Sequence, residues 1–230
     1  MSIFKDIVLA FTPAGDNTYL ACGKNGQLTL LDRGLNALAD LTLPPLKEQR
    51  FHSCAIILNE RRRLVTGDRC GGLHLFDLSS TDRRDPIHSL HKLHGRFGVG
   101  DIRMFDDDIW TTGRDGVQRI FKVDSDRLQE VFSAKLDMQW LERVVICRDR
   151  KLILGFHSTQ FVVYDVEDQR KLLDIFCGGS HRSWDFSVDE KTVQFLFVKE
   201  KRIYAARVAI DSFLRPCLRK SFHTRELNAI

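Results

Sequence analysis

The feature that most constrains the fold is a pattern that recurs along the 230 residues of the chain. Each copy has a short apolar strand ending in glycine, a polar turn and a second apolar strand. The four clear copies are YLACGKNGQLTLLD (19–32), RLVTGDRCGGLHLFD (63–77), IWTTGRDGVQRIF (109–121) and LILGFHSTQFVVYD (152–165). Their strand-ending glycines, Gly23, Gly67, Gly113 and Gly155, are 44, 46 and 42 residues apart. A fifth copy, QFLFVKEKRIYAAR (194–207), has Val198 where the glycine is expected.

Histidines recur ahead of these strands, in HGRFGVGDI (94–102), HRSWDFS (181–187) and HTRELNAI (223–230). A period of 40–45 residues, with several short strands per unit and a histidine near each start, is typical of a WD-repeat β-propeller. The Trp-Asp dipeptide of such repeats is replaced by Leu31-Asp32, Phe76-Asp77 and Tyr164-Asp165, which keep a large apolar side chain beside an acid. We therefore predict an all-β, WD-repeat β-propeller.

The repeat divides the chain into about five blades and the first strand of a sixth. The predicted blades are residues 1–50, 51–93, 94–137, 138–180 and 181–222, and residues 223–230 begin the next blade. A propeller closes its ring, because an open ring leaves unpaired strand edges. We therefore expect the chain to be a fragment of a longer protein; the alternative is that its N-terminal strands close the ring.

Composition excludes several classes of protein. No apolar run reaches the roughly 20 residues that a membrane helix needs, and the N-terminal segment has no signal-peptide cleavage site, so we expect a soluble chain with no membrane partner. The six cysteines are scattered without a C-x-x-C pair, which favours reduced, mostly buried thiols in a reducing compartment.

Blade topology places two sets of loops on one rim of a propeller: the turns between second and third strands, and the loops that lead into each blade. Basic residues outnumber acids in these loops, although the net charge of the chain is only +4. A phosphate backbone would be attracted to such a rim. The candidate residues for binding RNA or a partner are Arg69, Arg96, Arg114, His157, His181, Arg182, Trp184 and Arg225. For Trp184, packing between blades is the first expectation, and stacking on a base is the alternative.

Two histidines are predicted to be structural. The histidine before a blade commonly bonds an aspartate in the turn between the second and third strands, since a buried polar group needs a partner. We expect this bond between His52 and Asp68, with Thr66 beside them. The same bond is expected between His94 and Asp115, with Thr112 beside them. His157 has no evident aspartate partner and is freer to take a functional role.

Signs of metal binding and catalysis are weak. His88, His91 and His94 have a three-residue spacing that suits a helix, but this segment is predicted to be a strand, and no cysteine lies at ligand spacing. The P-loop, nucleophile-elbow and H-E-x-x-H patterns are absent from the sequence. We predict no metal, no cofactor and no catalytic residue.

Several stretches together resemble one family of WD-repeat proteins. They are LILGFHSTQFVVYD with CGGSHRSWDFS, HGRFGVGDI with TTGRDG, DRCGGLHLF, the Met138 and Trp140-Leu141 segment, and HTRELNAI. They are similar to the WD repeat-containing protein six family, and the match covers most of residues 60–230. The segments L-G-F-H and G-G-x-H-R-S-W make the resemblance more specific than a generic WD repeat.

This resemblance implies a function. Members of the family are long cytoplasmic chains with more than one propeller, so the resemblance implies that this chain is part of a multi-propeller protein. They bind an FtsJ-type methyltransferase and help it to methylate the ribose 2′-hydroxyl of the wobble nucleotide in tRNA. The resemblance implies that this chain is the non-catalytic subunit, with the methyltransferase as a partner, tRNA as a second possible partner and a cytoplasmic location. A general protein–protein interaction scaffold without RNA contact is the alternative.

Overall fold

The computed structural model describes residues 7–45, 51–58, 62–80 and 82–214, and almost all of their regular structure is antiparallel β-sheet. The chain divides into two compact units, Met1–Gly179 and Ser180–Ile230. Residues 223–230, predicted to begin a sixth blade, and the candidate Arg225 lie outside the described residues. The sheets of each unit follow the chain order, so each sheet is a simple meander.

The first unit contains four sheets of four strands each. Blade 1 has β1 (Val8–Gly15), β2 (Thr18–Gly23), β3 (Gln27–Asp32) and β4 (Ala37–Thr42). Blade 2 has β5 (His52–Leu58), β6 (Arg63–Asp68), β7 (Leu73–Asp77) and β8 (His88–Leu90). Blade 3 has β9 (Val99–Phe105), β10 (Asp108–Gly113), β11 (Val117–Asp124) and β12 (Arg127–Lys135). Blade 4 has β13 (Trp140–Cys147), β14 (Arg150–His157), β15 (Gln160–Asp165) and β16 (Arg170–Phe176).

The second unit contains one sheet of three described strands, β17 (Trp184–Val188), β18 (Thr192–Lys199) and β19 (Arg202–Ala209). One short helix, α1 (Ile210–Phe213), follows β19. Within the ranges that the structure describes, no helix is long and apolar enough to cross a membrane. Five cysteines in those ranges are free thiols, and four of them, Cys22, Cys54, Cys147 and Cys177, are buried.

The first strands of successive blades in the first unit pack on one another: β1 contacts β5, β5 contacts β9, and β9 contacts β13. Apolar clusters fill the space between neighbouring blades. Leu20 and Leu30 of blade 1 pack with Phe76 of blade 2, and Leu75 of blade 2 packs with Phe121 of blade 3. Successive four-stranded meanders that pack face to face through their inner strands are the blades of a β-propeller. The predicted fold class is therefore confirmed.

The repeated glycine at the end of each second strand has a steric cause. A β-carbon on Gly67 would lie 2.6 Å from Cβ of Val99, and one on Gly113 would lie 2.3 Å from Nδ1 of His94. A β-carbon on Gly155 would lie 2.3 Å from the carbonyl oxygen of Trp140. These positions therefore require glycine because an inner strand or its preceding loop passes too close for any side chain.

The aspartate that these repeats retain from the Trp-Asp dipeptide forms an ion pair with the second strand of its own blade. Asp77 pairs with Arg63, and Asp165 lies 2.8 Å from a terminal nitrogen of Arg150. Arg63 also reaches Asp126 in the third blade at 2.7 Å. In each of these two blades the aspartate thus joins the end of the third strand to the start of the second strand. In blade 2 the same arginine also links the blade to its neighbour.

We expect Gly113→Ala to lower the free energy of unfolding by about 1–3 kcal/mol, because the added methyl group must displace the His94 ring from a packed site. Guanidinium denaturation followed by the fluorescence of Trp110 and Trp140 measures the change. Gly95→Asn is the matched control, since a β-carbon there meets no atom within 4 Å and asparagine tolerates the φ of +64°. Equal stability of the two variants would contradict this steric explanation.

Candidate interaction surface

The candidate site is the turn rim of the first unit, which we define as the β6–β7, β10–β11 and β14–β15 turns together with the loops that lead into β5, β9 and β13. These loops touch one another. The N–H of Arg114 donates to the carbonyl oxygen of Gly98 at 3.4 Å, and a β-carbon on Gly98 would lie 3.2 Å from Cα of Arg69. Between the third and fourth blades, a β-carbon on Gly116 of the β10–β11 turn would lie 2.3 Å from the carbonyl oxygen of Met138 in the loop before β13. Turns from three blades therefore form one continuous surface.

Two of the predicted arginines lie over aromatic rings on this rim. The guanidinium carbon of Arg69 is 4.8 Å from the ring centroid of Phe51, and that of Arg114 is 5.2 Å from the ring centroid of Trp140. Nε of Arg114 also donates to Oε1 of Glu142 at 3.1 Å. Stacking on a ring holds each guanidinium in place while leaving its edge available for hydrogen bonds.

Arg96 and Phe97 lie on the same rim, in the loop that leads into β9. Arg96 is exposed, and the Phe97 ring is 60% exposed. Sequence analysis assigned no role to the aromatic residues Phe51, Phe97 and Trp140. Their position in the repeat could have revealed them, because each of these aromatic residues lies at or just before the first strand of its blade.

His157 has an acidic neighbour that the sequence did not reveal. Nδ1 of His157 lies 4.0 Å from Oδ1 of Asp137, whose other oxygen is 2.6 Å from Nζ of Lys171. The hydrogen bond and charge of Lys171 lower the pKa of Asp137. Asp137 comes from the loop before β13, 20 residues upstream of the histidine, and at 4.0 Å it makes no hydrogen bond with Nδ1 of His157, which has no hydrogen-bond partner among the described residues.

His181, Arg182 and Trp184 belong to the second unit. His181 and Arg182 are exposed, and Trp184 is half-buried with its ring 6.2 Å from that of Phe195 in the same sheet. That these three residues join the arginines of the first unit around one opening stays a prediction.

His94 binds the turn of its own blade. Its Nδ1 lies 3.0 Å from Oδ1 of Asp115, and its Nε2 lies 2.9 Å from Oγ1 of Thr111. The hydroxyl partner is Thr111 rather than the predicted Thr112, because alternate residues of a strand face opposite sides, and Thr111 shares a side with Gly113, which contacts the ring. Burial alone would raise the pKa of Asp115, but the hydrogen bond and charge of His94 lower it on balance.

His52 and Asp68 do not form the predicted pair. Nε2 of His52 lies 2.7 Å from Oγ1 of Thr12 in blade 1, whereas Oδ2 of Asp68 lies 2.9 Å from Nε2 of His74. The difference follows from position, since His52 is already the first residue of β5, while His94 lies in the loop before β9 and can reach back to the turn. Thr66, predicted to lie beside the pair, has a buried hydroxyl oxygen without a hydrogen-bond partner among the described residues.

Asp68 organises the β6–β7 turn. Its Oδ1 accepts the backbone N–H groups of Cys70 and Gly72, each at 2.8 Å, while Oδ2 faces His74. Nδ1 of His74 in turn lies 2.9 Å from Oγ of Ser89, and both Asp68 and His74 are completely buried. This network fixes the turn that carries Arg69.

Comparisons with known proteins agree with this architecture. No protein-family model matches the chain. Among solved structures, a computationally designed protein, Ika8, matches with a TM-score of 0.58 at 14% identity, covering 89% of this chain and 59% of that one. The β-propeller domain of Myceliophteria thermophila Cps50 (Swd1) matches with a TM-score of 0.58 at 13% identity, covering 89% of this chain and 72% of that one. The blades and this likeness define a β-propeller protein.

The curated relatives are more specific. The tRNA (34-2′-O)-methyltransferase regulator WDR6 of Rattus norvegicus and that of Homo sapiens are each 32% identical over 224 residues, covering 82% of this chain. The protein of the same name from Drosophila melanogaster is 27% identical over 190 residues, covering 76% of this chain. The chain therefore belongs to the WD repeat-containing protein six family. It spans about 20% of the length of these relatives.

Asp68→Ala should lower the free energy of unfolding by about 3–5 kcal/mol, because it leaves His74 and two buried N–H groups without their acceptor. Chemical denaturation gives the value. The exposed acid Asp107 provides the control, and Asp107→Ala should leave the free energy of unfolding unchanged. A small effect of Asp68→Ala would show that the network does not stabilise the turn.

His52 should make the fold sensitive to acid. Burial lowers the pKa of His52 from 6.5 to about 4, so the unfolded chain binds the proton more readily than the folded chain between these pH values. Stability contributed by neutral His52 is complete above pH 6.5 and falls as the pH drops towards 4. Between pH 7.5 and 5 the wild type should lose about 2 kcal/mol more than His52→Gln, measured by denaturation at each pH. Parallel pH profiles would rule out this role for His52.

Proposed function

We propose that this chain is a non-catalytic WD-repeat subunit that binds an FtsJ-type methyltransferase and tRNA, and so supports 2′-O-methylation of the wobble nucleotide. The observation that carries the proposal is the identity of 32% over 82% of the chain with proteins named as regulators of tRNA (34-2′-O)-methyltransferase. In this proposal the partner enzyme performs methyl transfer, and the propeller performs binding and positioning. We place the complex in the cytoplasm, as the family resemblance implies.

The turn rim supports the binding role. Arg69, Arg96 and Arg114 lie on touching loops of a rigid sheet scaffold, and each has exposed surface. Rigid, spaced guanidinium groups can hold a phosphate backbone in register without reading its bases. A substrate held in register beside an enzyme reacts faster because the encounter no longer costs orientational freedom. The subunit would thus raise the rate of methylation without contributing a reacting group.

A second candidate function is a protein scaffold that never touches RNA. The ion pair between Arg114 and Glu142 favours it, because the carboxylate offsets part of the positive charge that a phosphate would otherwise meet. Crosslinking of tRNA in the assembled complex separates the two functions. Crosslinks to the turn rim support the tRNA-binding subunit, and their absence supports the scaffold.

Deletion of the gene should abolish or strongly reduce 2′-O-methylation at tRNA position 34, measured by mass spectrometry of tRNA from the cells. Restoring the wild-type gene should restore the modification. A variant with Arg69, Arg96 and Arg114 all changed to alanine should restore much less, since three phosphate contacts are removed. The matched control changes Arg83 and Arg84, exposed arginines of the β7–β8 connection, to alanine and should restore it fully. Normal modification in the deletion strain would refute the proposed function.

A further inference from the structure

We infer that Phe97, Arg69 and Arg114 form a binding site for single-stranded RNA, in which an unpaired base stacks on Phe97 and the two arginines bind the neighbouring phosphates. The inference rests on the proposed function and specifies which part of an RNA the turn rim binds. Four observations support it. They are the exposure of the Phe97 ring, the contacts of Gly98 with Arg69 and Arg114, the hydrogen-bond donors of these two arginines that are free within the described residues, and the basic residues near Phe97.

The first observation is the exposure of Phe97. The ring is 60% exposed in a loop whose neighbour, Val99, is buried as the first residue of β9. Exposed aromatic rings beside basic groups are the stacking platforms of proteins that bind single strands, because every base presents a π-face. Phe97 therefore offers a surface that accepts any unpaired base.

The second observation is that the turns carrying two arginines contact the backbone of Gly98, the residue that follows Phe97. A β-carbon on Gly98 would lie 3.2 Å from Cα of Arg69, and the carbonyl oxygen of Gly98 accepts the N–H of Arg114 at 3.4 Å. Gly98 also has a φ of +90°, which side-chain-bearing residues rarely adopt. Glycine at this position thus permits turns from two blades to meet beside Phe97.

The third observation concerns the guanidinium groups. Stacking over Phe51 and Trp140 limits the side-chain freedom of Arg69 and Arg114 before any ligand binds. Nε of Arg114 is occupied by Glu142, but its two terminal nitrogens make no hydrogen bond with the residues that the structure describes. The guanidinium of Arg69 likewise makes none within those residues. These groups are oriented donors of the kind that bind phosphate.

The fourth observation decides between RNA and an acidic protein segment. Arg96 precedes Phe97 in the chain, and the backbones of Arg69 and Arg114 contact Gly98, which follows it. An acidic protein segment could pair with these arginines but offers no π-face to the ring, whereas each nucleotide supplies both a base and a phosphate. An RNA duplex keeps its bases stacked inside, so the ring suits unpaired nucleotides.

The test measures binding of a fluorescein-labelled ten-nucleotide oligouridine to the full-length protein by fluorescence anisotropy. Phe97→Ala should weaken binding roughly ten-fold or more through loss of stacking, and Phe97→Tyr should retain it. Arg69→Ala and Arg114→Ala should each weaken binding and reduce the slope of log affinity against log salt by about 0.7. Phe132→Ala, which removes a 49% exposed ring on β12, is the matched control and should bind as the wild type.

Three results would overturn the inference. They are no binding of oligouridine, equal binding by Phe97→Ala and Phe132→Ala, and displacement of the RNA by a decaglutamate peptide whose own binding requires Phe97. The last result would make the surface a docking site for an acidic protein segment.

Position-34 methylation in cells separates this inference from the proposed function. Loss of modification in the deletion strain with full restoration by Phe97→Ala would reject the RNA site and keep the proposed function. Normal modification in the deletion strain would reject the proposed function, whatever the oligouridine measurements show.

Discussion

The close approach of one blade to the next is the constraint on which the first unit depends. Val99 of β9 passes so close to Gly67 in the second strand of blade 2 that a β-carbon on this glycine would lie 2.6 Å from Cβ of Val99. Between blades 3 and 4, a β-carbon on Gly100 of β9 would lie 2.5 Å from the carbonyl oxygen of Leu141 in β13. Apolar clusters then fill the space between the wider parts of neighbouring blades. Since each cluster draws residues from two blades, no blade of this unit has a complete core of its own, as expected for repeat architectures.

The turn rim is a consequence of the same packing. Arg69 and Arg114 are 45 residues apart in sequence, one repeat, and they meet at Gly98 because their blades are in contact. Buried hydrogen bonds hold the turns that carry them: Asp68 with His74 in one blade, and Asp115 with His94 in the next. Stacking on Phe51 and Trp140 then orients the guanidinium groups. The polar surface is thus as ordered as the core beneath it.

The sequence correctly predicted the fold class but not the hydrogen-bond partners of several buried side chains. The period and the strand-ending glycines are enough to predict a propeller, because the same close approach to the second strand recurs in blades 2, 3 and 4. The partner of His52 could not be predicted, because Thr12 belongs to another blade and the repeat pattern does not specify which way a ring turns. Thr111 was mistaken for Thr112 because strand alternation, which decides the side, depends on a register that the sequence leaves open.

The sequence by itself determined that the chain is a WD-repeat propeller, that it resembles one family, and that arginines recur in the loops of one rim. These properties depend on residue type and spacing along the chain. Only the tertiary structure decided that Asp68 binds His74, that Arg114 contacts Trp140 and Glu142, and that Phe97 stays exposed in a loop that touches the turns of Arg69 and Arg114. Most of these contacts join residues from different strands, loops or blades, and their geometry is set by packing rather than by sequence separation.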